Sequence, residues 1–263
     1  MIDTHTHTHF SFDGKSALNE MVTKAARLGV EYYAITDHCD MDYNYIPEYF
    51  LIKRIDLDKY IKTVTKIKEK YPFVALGLEC GYSGQAIGDY LSKVPFEKFD
   101  YILNSTHTVG GRDCYFAPFF KNRTKKDCYE RYLKTIRESL EVPYPYNGVS
   151  HIGYVSKNAP FEDKALHYED FSDIIDDILK QIIELDKCLE LNSHTKGHGF
   201  MPDADIVKRY RELGGENIAF ASDAHITTRI CENYQAGKEL ALSAGFKYWT
   251  VYRRQKPVKI KID

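Results

Sequence analysis

The chain has 263 residues, 43% of them hydrophobic, and a formal net charge of -2. That composition supplies a sizeable core, and the near-balanced charge excludes the broad basic footprint of a nucleic-acid binder. No apolar run approaches bilayer-spanning length and no stretch has the build of a leader peptide. The six cysteines are scattered without a C-x-x-C pair, so a cytoplasmic protein with free thiols is expected.

Ile2 to His5 reads as a strand, and it opens a run in which His5, His7 and His9 alternate with threonines. Alternate strand side chains share a face, their Cα atoms about 7 Å apart, which suits two imidazoles converging on one ion. A polar edge strand is the plain alternative. Ser16 to Leu28 has apolar residues at helical spacing and a stop at Gly29. A strand at Glu31 to His38 precedes an aromatic loop around Tyr43 to Phe50. A helix from about Asp56 to Lys70 leads to a strand at Phe73 to Glu79. A helix around Ile87 to Phe99 then leads to a strand at Tyr101 to His107. Thr108 to Asn122 lacks periodicity and carries Gly110, Gly111 and Pro118, so a long functional loop is expected there.

Helix Lys125 to Leu140, strand Gly148 to Ile152, helix Glu169 to Leu185 and strand Cys188 to Asn192 continue the alternation. Helix Asp203 to Leu213, strand Asn217 to His225, helix Glu232 to Ala244 and a terminal strand at Lys247 to Tyr252 complete it. No linker or repeat divides the chain, which predicts one domain over residues 1–263. Strand–helix alternation implies a parallel sheet, and about seven such units most naturally close into a barrel, with an open doubly wound sheet as the alternative. Neither a G-x-G-x-x-G turn nor a Walker loop supports a nucleotide cofactor.

Chemistry-bearing residues fall at the ends of these strands. His5 and His7 close the first, His38 the second, Glu79 the third, His107 the fourth, His151 the fifth, and Asp223 with His225 the seventh. In a parallel barrel those ends share the face where active sites are built. One histidine at a strand end is an ordinary packing residue; six strand ends so furnished point to metal. Imidazoles with carboxylates and no cysteine cage favour Zn, Mn or Fe. The candidates outnumber the ligands of one tetrahedral ion, so a cluster is expected, with a carboxylate such as Glu79 bridging two ions. Cys39 and Cys80 follow His38 and Glu79 directly and should face the other way.

The motifs D-T-H-T-H-T at Asp3 to Thr8, I-T-D-H at Ile35 to His38, G-L-E at Gly77 to Glu79, S-T-H at Ser105 to His107, S-H-I-G at Ser150 to Gly153 and S-D-A-H at Ser222 to His225 resemble, in order, those of the PHP (polymerase and histidinol phosphatase) family. The resemblance implies a distorted (β/α)7 TIM-like barrel with three divalent ions. One would be held by His5, His7, Glu79 and Asp223, a second by Glu79, His107 and His151, and a third by Asp13, His38 and His225. His9 receives no ligand role.

The size of the chain and the segment LELNSHTKG are similar to the histidinol-phosphate phosphatases of that family. This implies hydrolysis of a small phosphate monoester, L-histidinol phosphate foremost, as a step of histidine biosynthesis, with neither nucleic acid nor membrane as partner. Phosphate monoesters hydrolyse very slowly in water, and a cluster of ions answers that by generating hydroxide near neutral pH and neutralising phosphoryl charge. Glu79, Asp223 and His225 are the candidate catalytic residues. Lys196, Arg112 and His198 are the candidate substrate contacts, Lys196 standing where many relatives carry arginine. Another phosphate ester, or the amide chemistry of a metal-dependent amidohydrolase, is the competing reading.

Overall fold

Seven parallel strands, each followed by a helix, build the body of the protein. The computed structural model describes residues 1–46, 49–195 and 199–263. The strands are β1 (Ile2–Asp3), β2 (Tyr32–Ile35), β3 (Val74–Gly81), β4 (Tyr101–Ser105), β5 (Gly148–Val149), β6 (Cys188–Asn192) and β7 (Ile218–Ala221). They pair side by side in chain order, every pair parallel. The ring closes where the Thr4 amide donates to the Phe220 carbonyl at 3.0 Å and the His7 amide to the Ala224 carbonyl at 2.9 Å. The protein is thus a distorted (β/α)7 barrel, and the open doubly wound alternative falls.

The strands are buried because a parallel barrel covers both their faces, one by helices and one by the interior. All eight residues of β3 are buried, including Glu79. The helices are α1 (Leu18–Arg27), α2 (Leu57–Lys70), α3 (Ile87–Lys93), α4 (Lys125–Ser139), α5 (Ser172–Glu184), α6 (Ala204–Glu212) and α7 (Tyr234–Ser243). Local chemistry sets several of their starts. Thr124 and Asp127 form a reciprocal capping box on α4, and Asp56 accepts from the Lys59 amide at 3.0 Å to cap α2. His9 takes part in the start of α1: its Nδ1 accepts from the Leu18 amide at 3.3 Å. The third histidine of the opening run is therefore spent on a helix end.

Two segments depart from the sequence expectation. Thr108 to Asn122 contains a small antiparallel hairpin, Thr108–Val109 with Arg112–Asp113, and a helical turn at Ala117–Phe120. The terminal strand, Tyr248–Arg253, pairs with a further strand, Lys256–Lys261, whose three lysines are exposed. This hairpin lies across the N-terminal ends of the barrel strands. Arg253 donates to the carbonyls of Phe73 and Val74, and the Arg254 amide donates to Asp100. The opposite, C-terminal ends stay open for the site.

Candidate metal centre

Each strand delivers its polar residue where the apolar run ends and the chain turns over the barrel rim. Two of them sit in the left-handed region, His151 at φ 23° and Asp223 at φ 51°. A non-glycine residue held there is strained, and such strain concentrates at functional sites. Asp3 fixes the turn around Asp223: its carboxylate accepts from the Ser222 amide at 2.9 Å and hydroxyl at 2.6 Å, and from the Cys231 amide at 2.9 Å. Asp37 does the same for the loop after β1, accepting from the amides and hydroxyls of Thr8 and Ser11.

The side chains converge in three groups, two of which share Glu79. His5 Nε2 and His7 Nε2 stand 3.0 Å apart. Around them Glu79 Oε2 lies 3.2 Å from His5 and Asp223 Oδ1 3.2 Å from His7. On the other side of the carboxylate, Glu79 Oε1 lies 3.1 Å from His107 Nε2 and 2.9 Å from His151 Nε2. The third group joins Asp13, His38 and His225: Asp13 Oδ2 is 3.1 Å from His225 Nε2, and Oδ1 is 3.8 Å from His38 Nε2. The His7 ring lies 4.3 Å from that of His38 and 4.2 Å from that of His225, which are themselves 6.0 Å apart.

Two observations test whether metal ions fit. Ring nitrogens crowded within about 3 Å of each other and of carboxylate oxygens are hard to satisfy by protons alone, but suit lone pairs turned on a common cation. Moreover, Glu79 Oε2 and Asp13 Oδ1 are buried and accept no hydrogen bond. The far side of two of the rings agrees. His5 Nδ1 stands 2.9 Å from Glu190 Oε2 and His225 Nδ1 2.9 Å from the Asp223 carbonyl. A proton placed on each Nδ1 donates outward and leaves Nε2 bare toward the cluster. The residues fit a cluster of divalent ions.

The charges are interlocked. Burial would raise the Glu79 carboxyl, yet the facing His5, His38 and His107 hold it well below the usual range. Burial likewise opposes ionisation of Asp223, but Lys157, His194 and His5 keep its carboxyl well below normal. His7 is pushed down by burial and by its neighbours His225 and His38, which keeps it a neutral donor.

Glycine is required at position 14. A Cβ there would lie 1.9 Å from the Thr8 carbonyl oxygen. Gly14→Ala therefore has to push the loop away and carry Asp13 with it, at a cost of about 1–3 kcal/mol. The expected result is a lowered melting temperature and a reduced metal content, read by thermal denaturation and elemental analysis; wild-type values for both would show the loop is free to move.

The PHP domain profile matches residues 3–194. The chain belongs to the PHP-domain family. It falls in the histidinol-phosphatase-like branch: it is 32% identical over 255 residues to a probable histidinol-phosphatase of Clostridium acetobutylicum, covering 94% of this chain and 95% of that protein. It is 28% identical over 260 residues to a histidinol-phosphatase of Lactococcus lactis, covering 93% and 91%. Among solved structures, the histidinol phosphate phosphatase of Lactococcus lactis, complexed with zinc, L-histidinol and phosphate, superposes with a TM-score of 0.86 at 24% identity, covering 98% of each chain. That likeness is one of fold.

In this PHP domain nine residues singled out from sequence, His5, His7, Asp13, His38, Glu79, His107, His151, Asp223 and His225, meet in one place. Arg112 does not join them: it is exposed on the small hairpin and is absent from the residues lining the cleft above the cluster. Lys196 and His198 lie outside the described residues. Cys39 and Cys80 are buried in the apolar core, away from any ligand role.

Three further residues support the site. Glu190, fully buried in β6, meets His5 with one oxygen and accepts from the His151 amide at 2.9 Å with the other. Lys157, almost buried, donates to Asp223 Oδ2 at 3.0 Å and lines the cleft. His194 reaches the same oxygen at 3.1 Å. Glu190 carried a sequence signal, an acid inside the apolar run CLELN. Lys157 carried none, one lysine among many.

Proposed function

We propose that this chain is a metal-dependent phosphatase that hydrolyses L-histidinol phosphate to L-histidinol and phosphate, the step expected of it in histidine biosynthesis. Three divalent ions, Zn, Mn or Fe, would be held by His5, His7, Glu79 and Asp223, by Glu79, His107 and His151, and by Asp13, His38 and His225. The observation that carries the reading is Glu79, whose two carboxylate oxygens each face a separate pair of imidazoles at about 3 Å. The names of the relatives and their near full-length match support the substrate.

Divalent ions in such a cluster supply Lewis-acid activation of water and charge neutralisation at the phosphoryl oxygens. The chain's own residues set the geometry. Glu79 holds two of the groups at a fixed separation. Lys157 keeps Asp223 charged and turned toward His7, and its ammonium faces the cleft, where it can also meet a phosphoryl oxygen as a point charge. Asp223, paired with Lys157, is thereby a poor source of the proton needed by the leaving alkoxide. His194 borders the same cleft, is outside the three ligand sets, and is the better-placed candidate.

A panel of phosphate monoesters assayed for phosphate release tests this. The reading expects the highest kcat/KM on L-histidinol phosphate, loss of activity on chelation and recovery with added divalent metal. Equal activity on a generic aryl phosphate would remove the pathway assignment. Hydrolysis of amides or lactones with inert phosphate esters would move the chain to amidohydrolase chemistry.

A further inference from the structure

The cleft above the cluster encloses about 440 Å³. Among the described residues, its carboxylates are Asp13, Glu79 and Asp223, all turned to the histidines. The facing wall is aromatic. Tyr43 and Tyr49 stack at 3.9 Å, with Phe12 edge-on to Tyr43 at 5.8 Å. Phe116 stands 5.9 Å from Tyr49, and Tyr154 approaches the His107 ring at 4.9 Å. Phe12 is 40% exposed and Phe116 37%, a large apolar exposure to leave at the lip of a polar site.

These rings come from loops after four different strands, so something must hold them in register. Three of the four loops meet at Asp113, which is 2% exposed. Its Oδ2 accepts from the Tyr49 hydroxyl at 2.6 Å. Its Oδ1 accepts from the Tyr154 hydroxyl at 3.3 Å and from the Tyr115 amide at 2.6 Å. A buried carboxylate with both oxygens engaged by tyrosines from separate loops is a costly feature to keep for stability alone, since apolar residues would fill the space as well.

We propose that Asp113 is a positioning residue that holds the Tyr43–Tyr49 pair, Phe116 and Tyr154 as a slot for a flat ring on the leaving-group side of the phosphate ester. The inference rests on the phosphatase reading and adds to it the part of the substrate that the protein discriminates. An imidazole or phenyl ring gains face and edge contacts there, with a further electrostatic gain if it is cationic. A glycerol leaving group gains neither.

The test compares phenyl phosphate with glycerol 3-phosphate on the wild-type holoenzyme, Tyr49→Phe and Asp113→Asn. Tyr49→Phe keeps the ring and removes only the hydroxyl bonded to Asp113, so it preserves the fold if Asp113→Asn does not. The expected result is a drop of about fivefold in the ratio of kcat/KM for phenyl over glycerol ester, carried by KM of the ring-bearing substrate. An unchanged ratio, whether both activities fall together or neither moves, overturns the proposal. Should wild-type protein ignore L-histidinol phosphate while the phenyl-to-glycerol ratio still falls in the variants, the slot stands and the substrate reading fails. Should it turn over L-histidinol phosphate fully while the ratio stays unchanged in the variants, the substrate reading stands and the slot fails.

Discussion

Glu79→Gln is expected to lower phosphatase turnover by about 10³-fold and to release more than one bound ion per chain. The substitution keeps the volume of the side chain and the length of β3, so packing should survive. What it removes is the negative charge that faces His5, His7, His107 and His151 from the two oxygens of one group. An amide offers one carbonyl oxygen, and its NH2 end would point hydrogens at imidazole nitrogens that need to present lone pairs. Whichever way the amide turns, one group loses its oxygen. The measurement pairs kcat with metal content per chain by elemental analysis. Glu79→Asp serves as the companion, retaining the charge but too short to reach both sides, and should fall between wild type and Gln. Wild-type metal content with turnover within about tenfold of normal would show that Glu79 is a packing carboxylate and not a bridge.

How much of this could be seen in the sequence follows from where the information is local. A strand end is local: an apolar run stops and a histidine or acid follows, as at Ile35-Thr36-Asp37-His38 or Leu76-Gly77-Leu78-Glu79. The barrel then does the rest, because parallel strands put all those ends on one rim. The strands themselves proved shorter than their apolar-to-polar runs suggested, since His5 and His107 leave the ladder as the chain turns over the rim and His38 keeps only a single parallel bridge to Glu79. The small hairpin at Thr108–Asp113 left a signal that periodicity ignores, Gly110-Gly111 between two short arms, with φ of 57° and 74°. The strand at Lys256–Lys261, KPVKIK, is mostly exposed, so its pairing depends on a partner strand and not on its own burial.

Pairwise chemistry across the barrel was out of reach. Lys157 meets Asp223 from 66 residues away, and Asp113 collects Tyr49 and Tyr154 from 64 and 41 residues away. No spacing within one segment encodes such contacts. Arg112 is the converse case: a basic residue in a glycine-rich loop reads as a phosphate grip, but on the hairpin it is exposed and is not among the described residues that line the cleft.

Glu190→Gln should cut metal affinity or kcat by about 10–100-fold although the residue never faces the cleft. Glu190 Oε2 stands 2.9 Å from His5 Nδ1, while Oε1 accepts from the His151 amide at 2.9 Å and the Asn192 side-chain amide at 2.8 Å. As a carboxylate it is acceptor-only, which forces the His5 proton onto Nδ1 and frees Nε2 for the cluster. Glutamine can satisfy only one side. If its oxygen serves His151 and Asn192, its NH2 group confronts His5 and favours the opposite tautomer, with a proton on Nε2 aimed at the ion. If its oxygen serves His5, two donors from the β5 and β6 side lose their acceptor in a fully buried site, at about 1–3 kcal/mol each. The two cases separate experimentally. The first shows as weakened metal binding with the melting temperature of the metal-free protein nearly unchanged, the second as a drop in that temperature. Excess divalent metal should restore part of the activity in the first case, because the ion competes with the misplaced proton. Activity and metal affinity both equal to wild type would mean that His5 is oriented without Glu190, and the outward anchoring of the cluster's histidines would have to be sought elsewhere.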